Sequence, residues 1–198
     1  MNERKSLDEN DTQPKDQSTL DPLWEGELVR LRRAEEPDLT SMEEWWNHPE
    51  LAIFQQASAI PRSKSISIEG LRTAFSNNDP SRVGFAIECR DSADLLGMAV
   101  IQNIDPVLRV GHLGMGLAPT VVNRSFGTDT LRVLIRLGFD ELNLHKLEAE
   151  CWEFNPRPIR ILEKMGFIEE GRRRAAVFHR GQHWPSRIMG LLRDEWSN

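Results

Sequence analysis

The segment from Arg109 to Trp152 limits what this chain can fold into more than any other. Arg109 to Ala118 carries small and apolar residues with little charge, the pattern of a buried strand. Leu131, Leu134, Ile135, Gly138, Phe139 and Leu142 then recur at helical spacing, which predicts a helix over 126–142. Lys146–Trp152 reads as the next strand. Between the first strand and the helix lies a turn, Leu117 to Thr128, containing Pro119, Asn123, Ser125, Gly127 and a single Arg124. The first N–H groups of a helix have no partner inside it and sit at the positive end of its dipole. A turn of small residues lets an anion approach them, so this stretch is a candidate phosphate cradle as well as an ordinary strand-to-helix connection.

The remaining punctuation completes an α+β layout. A strand at Leu28–Arg32 precedes a helix starting at Glu36-Pro37-Asp38, where proline suits the first turn. Trp45 and Trp46 end that helix and Asn47-His48-Pro49 breaks it. A second helix is expected over 68–75, ended by Asn77-Asn78-Asp79-Pro80. Val83–Cys89 and Leu95–Ile101 form a hairpin around a polar loop. Downstream, Asn155 and Pro156 can open a helix that Gly166 closes, and two terminal strands flank Arg180-Gly181-Gln182. Hairpin strands, then strand–helix–strand–helix, then a hairpin describe a mixed sheet flanked by helices.

Length and charge narrow the function. With 198 residues and a net charge of −6, residues 23–198 are expected to form one domain. Residues 1–22 are polar and short of apolar side chains, as in a disordered acidic tail. A mildly acidic domain is a poor general nucleic-acid binder. No apolar run reaches the length of a membrane span, and no secretory signal opens the chain. Cys89 and Cys151 lie in apolar, strand-like settings without ligand spacing, as expected of free thiols in a reducing cytoplasm, so no metal is expected.

The turn resembles the pyrophosphate loop of the GNAT N-acetyltransferases, with Pro119 at the proline that ends the preceding strand and Gly127 at the last small residue. Asn155-Pro156-Arg157-Pro158-Ile159-Arg160-Ile161-Leu162-Glu163-Lys164-Met165-Gly166-Phe167 is similar to the second signature of that family. Glu169-Glu170-Gly171-Arg172 and Ile188-Met189-Gly190-Leu191-Leu192 resemble the last strands of the Rim type, which acetylates ribosomal-protein N-termini. The resemblance spans residues 24–196. It implies a mostly antiparallel, twisted sheet flanked by helices, acetyl-CoA as donor, and a small amine or protein N-terminus as acceptor. It also leaves room for a homodimer. Met115, Leu117 and Ala118 would run along the pantetheine arm. Asn123, Arg124, Ser125, Phe126, Gly127 and Thr128 would hold the pyrophosphate, and Asn155 would stand near the thioester. Val122 and Ser125 depart from the pattern: the first removes a side-chain donor, and the second adds a Cβ where backbone and phosphate approach.

His112 takes the place where many relatives carry a glutamate, and an imidazole suits the task of taking a proton from an ammonium group. Glu150 and Glu88 are strand carboxylates that can share it. The usual family tyrosine falls at Leu162, and the chain contains no tyrosine. The leaving thiolate is therefore protonated by another group such as Ser186 or water, or departs unassisted, or catalysis is lost. Trp45, His48, Phe54, His183 and Trp184 are expected to wall the acceptor pocket, aromatic faces with polar tips suiting an amine. Two alternatives accompany N-terminal acetylation: a polyamine or aminoglycoside acetyltransferase, and a degenerate CoA-binding module with little turnover.

Overall fold

The computed structural model describes residues 22–49, 51–53, 60–121 and 125–197. The expected tail falls almost wholly outside these residues. Seven strands form one sheet: β1 (Val29–Arg32), β2 (Val83–Cys89), β3 (Leu95–Asp105), β4 (Val110–Leu117), β5 (Lys146–Trp152), β6 (Ile168–His179) and β7 (Gln182–Leu192). The spatial order is β1-β2-β3-β4-β5-β7-β6. Among the described residues they are accompanied by α1 (Glu36–Trp46), α2 (Lys64–Ala74), α3 (Phe126–Arg136) and α4 (Pro156–Lys164).

All neighbouring strands are antiparallel except β4 and β5. That parallel ladder covers only Val110, Gly111 and His112 against Lys146, Leu147 and Glu148. Beyond it, β4 stays with β3 as far as Leu117, and β5 stays with β7 as far as Trp152. The two strands therefore part, leaving a wedge bordered by residues 113–117 on one side and 149–152 on the other.

Side-chain alternation sends the apolar residues to two cores. On one face α3 and α4 bring Leu131, Leu134, Ile135, Ile159 and Leu162 onto Ile87, Ile101 and Leu147. On the other, α1 and α2 set Leu39, Met42, Leu71 and Phe75 against Ala86 and Met98.

The helix predicted over 126–142 changes form partway. α3 ends at Arg136, and Leu137–Glu141 is a π turn closed by the Leu142 N–H donating to the Leu137 carbonyl at 3.0 Å. Packing drives the change: a Cβ at Gly138 would stand 3.0 Å from Leu147 Cδ2, so helix and sheet touch here. α2 begins at Lys64, a turn earlier than periodicity indicates, because Lys64-Ser65-Ile66-Ser67 lacks an apolar stripe. α4 ends as expected. Gly166 has φ +90°, its N–H donates to the Glu163 carbonyl at 3.1 Å, and the Phe167 N–H donates to the Leu162 carbonyl at 3.0 Å.

One buried carboxylate ties α3 to the sheet edge. Asp129 accepts the backbone N–H groups of Glu27, Leu28 and Val29 at 3.1, 2.7 and 3.0 Å. It lies one turn into α3, so it also steadies the helix start that the preceding turn leads into.

Candidate active site

The wedge between β4 and β5 is built from backbone edges. The Ala118 N–H donates to the Leu96 carbonyl at 2.8 Å, on the β3 side. Successive residues in an antiparallel ladder direct their main-chain groups to opposite sides. Met115 and Leu117 therefore turn theirs toward the wedge, where β5 no longer pairs with them. Ala118, expected on the cofactor arm, instead donates to β3 and is buried. Its departure follows from strand alternation, which a motif match does not register.

At the rim of the wedge, Ser125 precedes α3 with φ 64° and ψ −3°, a left-handed conformation that favours glycine. Its hydroxyl makes no cap bond, so the first N–H groups of α3 are not satisfied by this side chain. Phe126, Gly127 and Thr128 form the first turn. A Cβ at Gly127 would meet Met115 Cε and Leu117 Cδ1 at 3.5 Å and Ile161 Cδ1 at 3.7 Å, ordinary contact distances. Packing within the chain therefore does not demand glycine there; close approach of a ligand would. Asn123 and Arg124 lie outside the described residues. Asn155 begins α4 without a side-chain cap bond, just after the end of β5.

On the opposite face sit the groups that can move protons. His112 pairs with Gln102, Gly114 with Val100 and Gly116 with Met98, and Met98 belongs to the α1–α2 core. His112 thus projects to the α1–α2 face at the closed end of the wedge, with 40% of its side chain exposed. Its neighbour in register is Glu148, whose Oε2 lies 3.4 Å from His112 Nε2. Glu150 is the next residue on that face of β5, inside the opening. It accepts from Ser186 Oγ at 2.5 Å and from Arg173 Nη1 at 3.0 Å. The Ser186 hydroxyl, fully buried, directs its hydrogen to Glu150 and is not free to protonate a thiolate. Leu162 is packed in the α3–α4 core. Glu88 lies on β2, two strands from β4, and is ion-paired with Arg32 at 2.6 Å.

The expected acceptor wall is only partly assembled. Trp45 packs on the α1–α2 core, and His48 is half-buried at the end of α1. Phe54 lies outside the described residues. Trp184 donates from Nε1 to the His179 carbonyl at 3.2 Å and meets Phe154 edge-on at 5.6 Å. His183, exposed, meets Phe178 edge-on at 5.1 Å. As successive residues of β7 these two side chains leave opposite faces, and only Trp184 shares the face of Ser186 and Glu150.

Sequence reasoning missed Glu148. The alternation Lys146, Glu148, Glu150 against Leu147, Ala149, Cys151 marks a polar face of this strand. Only the parallel register reveals that His112 lies beside it.

The GNAT acetyltransferase domain profile matches residues 29–168. The chain belongs to the GNAT acetyltransferase family. It is therefore an acyl-CoA-dependent N-acetyltransferase, as the open wedge beside a helix N-terminus suggests. YdaF of Bacillus subtilis (strain 168), provisionally named a ribosomal N-acetyltransferase, is 30% identical over 102 residues, 52% of this chain and 56% of that protein. The chain thus spans just over half of that relative. Spermidine N(1)-acetyltransferase of Escherichia coli (strain K12) is 27% identical over 155 residues, 78% of this chain and 81% of that protein. The fold is that of spermidine N-acetyltransferase from Vibrio cholerae, solved with CoA and spermine: the TM-score is 0.77 at 22% identity, over 86% of this chain and 98% of that one.

Proposed function

We propose that this GNAT domain acetylates a primary amine, a protein N-terminus or a small amine, that reaches the wedge from the α1–α2 face. The observation that carries this is the placement of His112 and Glu150 at the wedge on the face opposite α3 and α4. The residues fit acetyl-CoA: open main-chain edges at Met115 and Leu117, the α3 start at Ser125 to Thr128, and the uncapped Asn155 side chain. Asn123 and Arg124 would complete the phosphate contact. Bound acetyl-CoA supplies an acyl carbon activated as a thioester, so transfer forms an N–C bond and breaks a C–S bond.

His112 takes the proton that the ammonium group must lose before its nitrogen can attack. The wedge-facing N–H groups of Met115 and Leu117 are donors for the acyl oxygen as charge builds on it. Glu150, held by Arg173 and Ser186, presents a fixed negative charge to the incoming ammonium group. The departing sulfur takes its proton from solvent, consistent with a thiol pKa of roughly 8–9. Trp45, His48 and Trp184 border the acceptor side. A polyamine acceptor is a second reading, favoured by the spermidine acetyltransferases among the relatives. Two unpaired thiols, Cys89 and Cys151, favour a cytoplasmic setting. Self-association is also proposed; a dodecameric structure is known for the Vibrio cholerae enzyme.

Thiol release from acetyl-CoA in the presence of N-terminal peptides, spermidine and aminoglycosides tests the reading and selects the acceptor. CoA binding without release on any of them would mark a non-catalytic CoA-binding module. Absence of any CoA-dependent thermal shift would refute the whole assignment. His112→Ala should lower kcat about 100-fold and leave CoA affinity unchanged. An unchanged kcat would remove His112 from the chemistry.

A further inference from the structure

A chain of alternating charges crosses the sheet and ends on His112. Glu148 reaches His112 Nε2 with one oxygen at 3.4 Å and Lys146 Nζ with the other at 2.8 Å. Lys146 Nζ in turn meets Glu170 Oε2 at 2.6 Å. Glu170 stands on β6, yet β7 lies between β6 and β5. Two features let it reach across. The β6–β7 register slips between Glu169 and Gly171, so Glu170 is an extra, bulged residue. Gly190 on β7, the register partner of Glu148, has no side chain, and a Cβ there would lie 2.5–2.6 Å from the Glu170 carboxylate atoms. The carboxylate thus passes over a bare backbone to the lysine.

Neither hydrophobic core calls for this arrangement. Glu148 and Lys146 are each about one-fifth exposed on the polar face of β5. Burial alone would lower the Lys146 ammonium, but the bonds to Glu148 and Glu170 outweigh it and hold it above the usual lysine range. With Lys146 braced from behind, the Glu148 carboxylate is held in one place beside the imidazole.

We propose that Glu148 is the positioning residue of His112, with Lys146 and Glu170 as its brace. This rests on His112 being the base and adds what sets the ring's orientation. An imidazole whose Nε2 stands beside a fixed carboxylate favours one ring orientation with the proton on Nε2, which leaves the Nδ1 lone pair to take a proton. A freely rotating ring would present that nitrogen only part of the time. Glu148 stands where β4 and β5 are still paired, behind the open wedge, so its loss acts on turnover through His112.

The test is a double-mutant cycle on the full chain with acetyl-CoA and either spermidine or an N-terminal peptide. Glu148→Gln, nearly isosteric, should lower kcat about tenfold with little change in KM for acetyl-CoA. His112→Ala should lower it further, and the double variant should match His112→Ala alone. Glu170→Gln, distant from the wedge, should give a smaller loss of the same kind. Costs that multiply in the double variant, or Glu148→Gln at wild-type kcat while His112→Ala is slow, would overturn the proposal. Wild-type kcat in His112→Ala would instead refute the base assignment itself. Long-range 1H–15N spectra of the imidazole supply a readout independent of turnover. The His112 ring signals, assigned by their loss in His112→Ala, should shift in Glu148→Gln, and identical ring signals would overturn the proposal.

Discussion

Replacing Asp129 tests whether the wedge depends on the anchor of α3. Its carboxylate, 3% exposed as a residue, accepts three N–H groups from 27–29 and lies 3.3 Å from Arg132 Nη1. Gly26 also closes on it: a Cβ there would lie 2.3 Å from Asp129 Oδ2. In Asp129→Ala the Val29 N–H is left buried without a partner, at about 2 kcal/mol. The Glu27 and Leu28 N–H groups belong to exposed residues and exchange the carboxylate for water, at about 0.5 kcal/mol each. The expected loss is about 3 kcal/mol. Asp129→Asn keeps one neutral acceptor oxygen and should lose about half as much. For a domain of this size, 3 kcal/mol corresponds to a fall of about 6–12 °C in Tm, read by circular dichroism. Urea unfolding followed by tryptophan fluorescence should show the midpoint falling by about 1.5 M. CoA affinity should fall as well, because the anchored turn opens α3 at the cofactor side. A loss under about 1 kcal/mol, or an Asp129→Leu variant as stable as the wild type, would refute this account of the carboxylate.

Ser125→Gly should relieve about 1 kcal/mol of left-handed strain, offset in stability by the freer unfolded chain. Its Tm should change by no more than a few degrees, while calorimetry should show CoA bound a few-fold tighter; weaker binding would mean the Ser125 side chain contacts the cofactor. The two thiols should differ in reactivity. Hydrogen bonds from Ser92 lower the Cys89 thiol, whereas burial, then the nearby Glu150 charge, pushes Cys151 up to about 12. Iodoacetamide at pH 8 should therefore label Cys89 first and spare Cys151 until the protein unfolds, with equal labelling by peptide mapping counting against it.

The sequence by itself determined the elements, because their signals are local. Periodicity alone located β5 and the body of α3, and Pro37, Pro156 and Gly166 marked helix ends through their own backbone restrictions. The motifs at Pro119, Gly127 and Asn155–Phe167 pointed to the family for the same reason: each is a short stretch whose chemistry lies in adjacent residues. Alternation along β5 even marked which of its side chains face away from the core. The π turn after Arg136 escaped, since it depends on how closely Gly138 meets Leu147, a contact between separate elements. The site itself was decided by tertiary structure. Where β4 and β5 part depends on a three-pair parallel ladder formed after a helix has crossed between them. That register alone sets His112 beside Glu148 and leaves Met115 and Leu117 with unpaired edges. The direction of Ala118 and the reach of Glu170 over Gly190 have the same origin. Each depends on which strand lies alongside, and strand neighbours are chosen by the packing of the whole sheet.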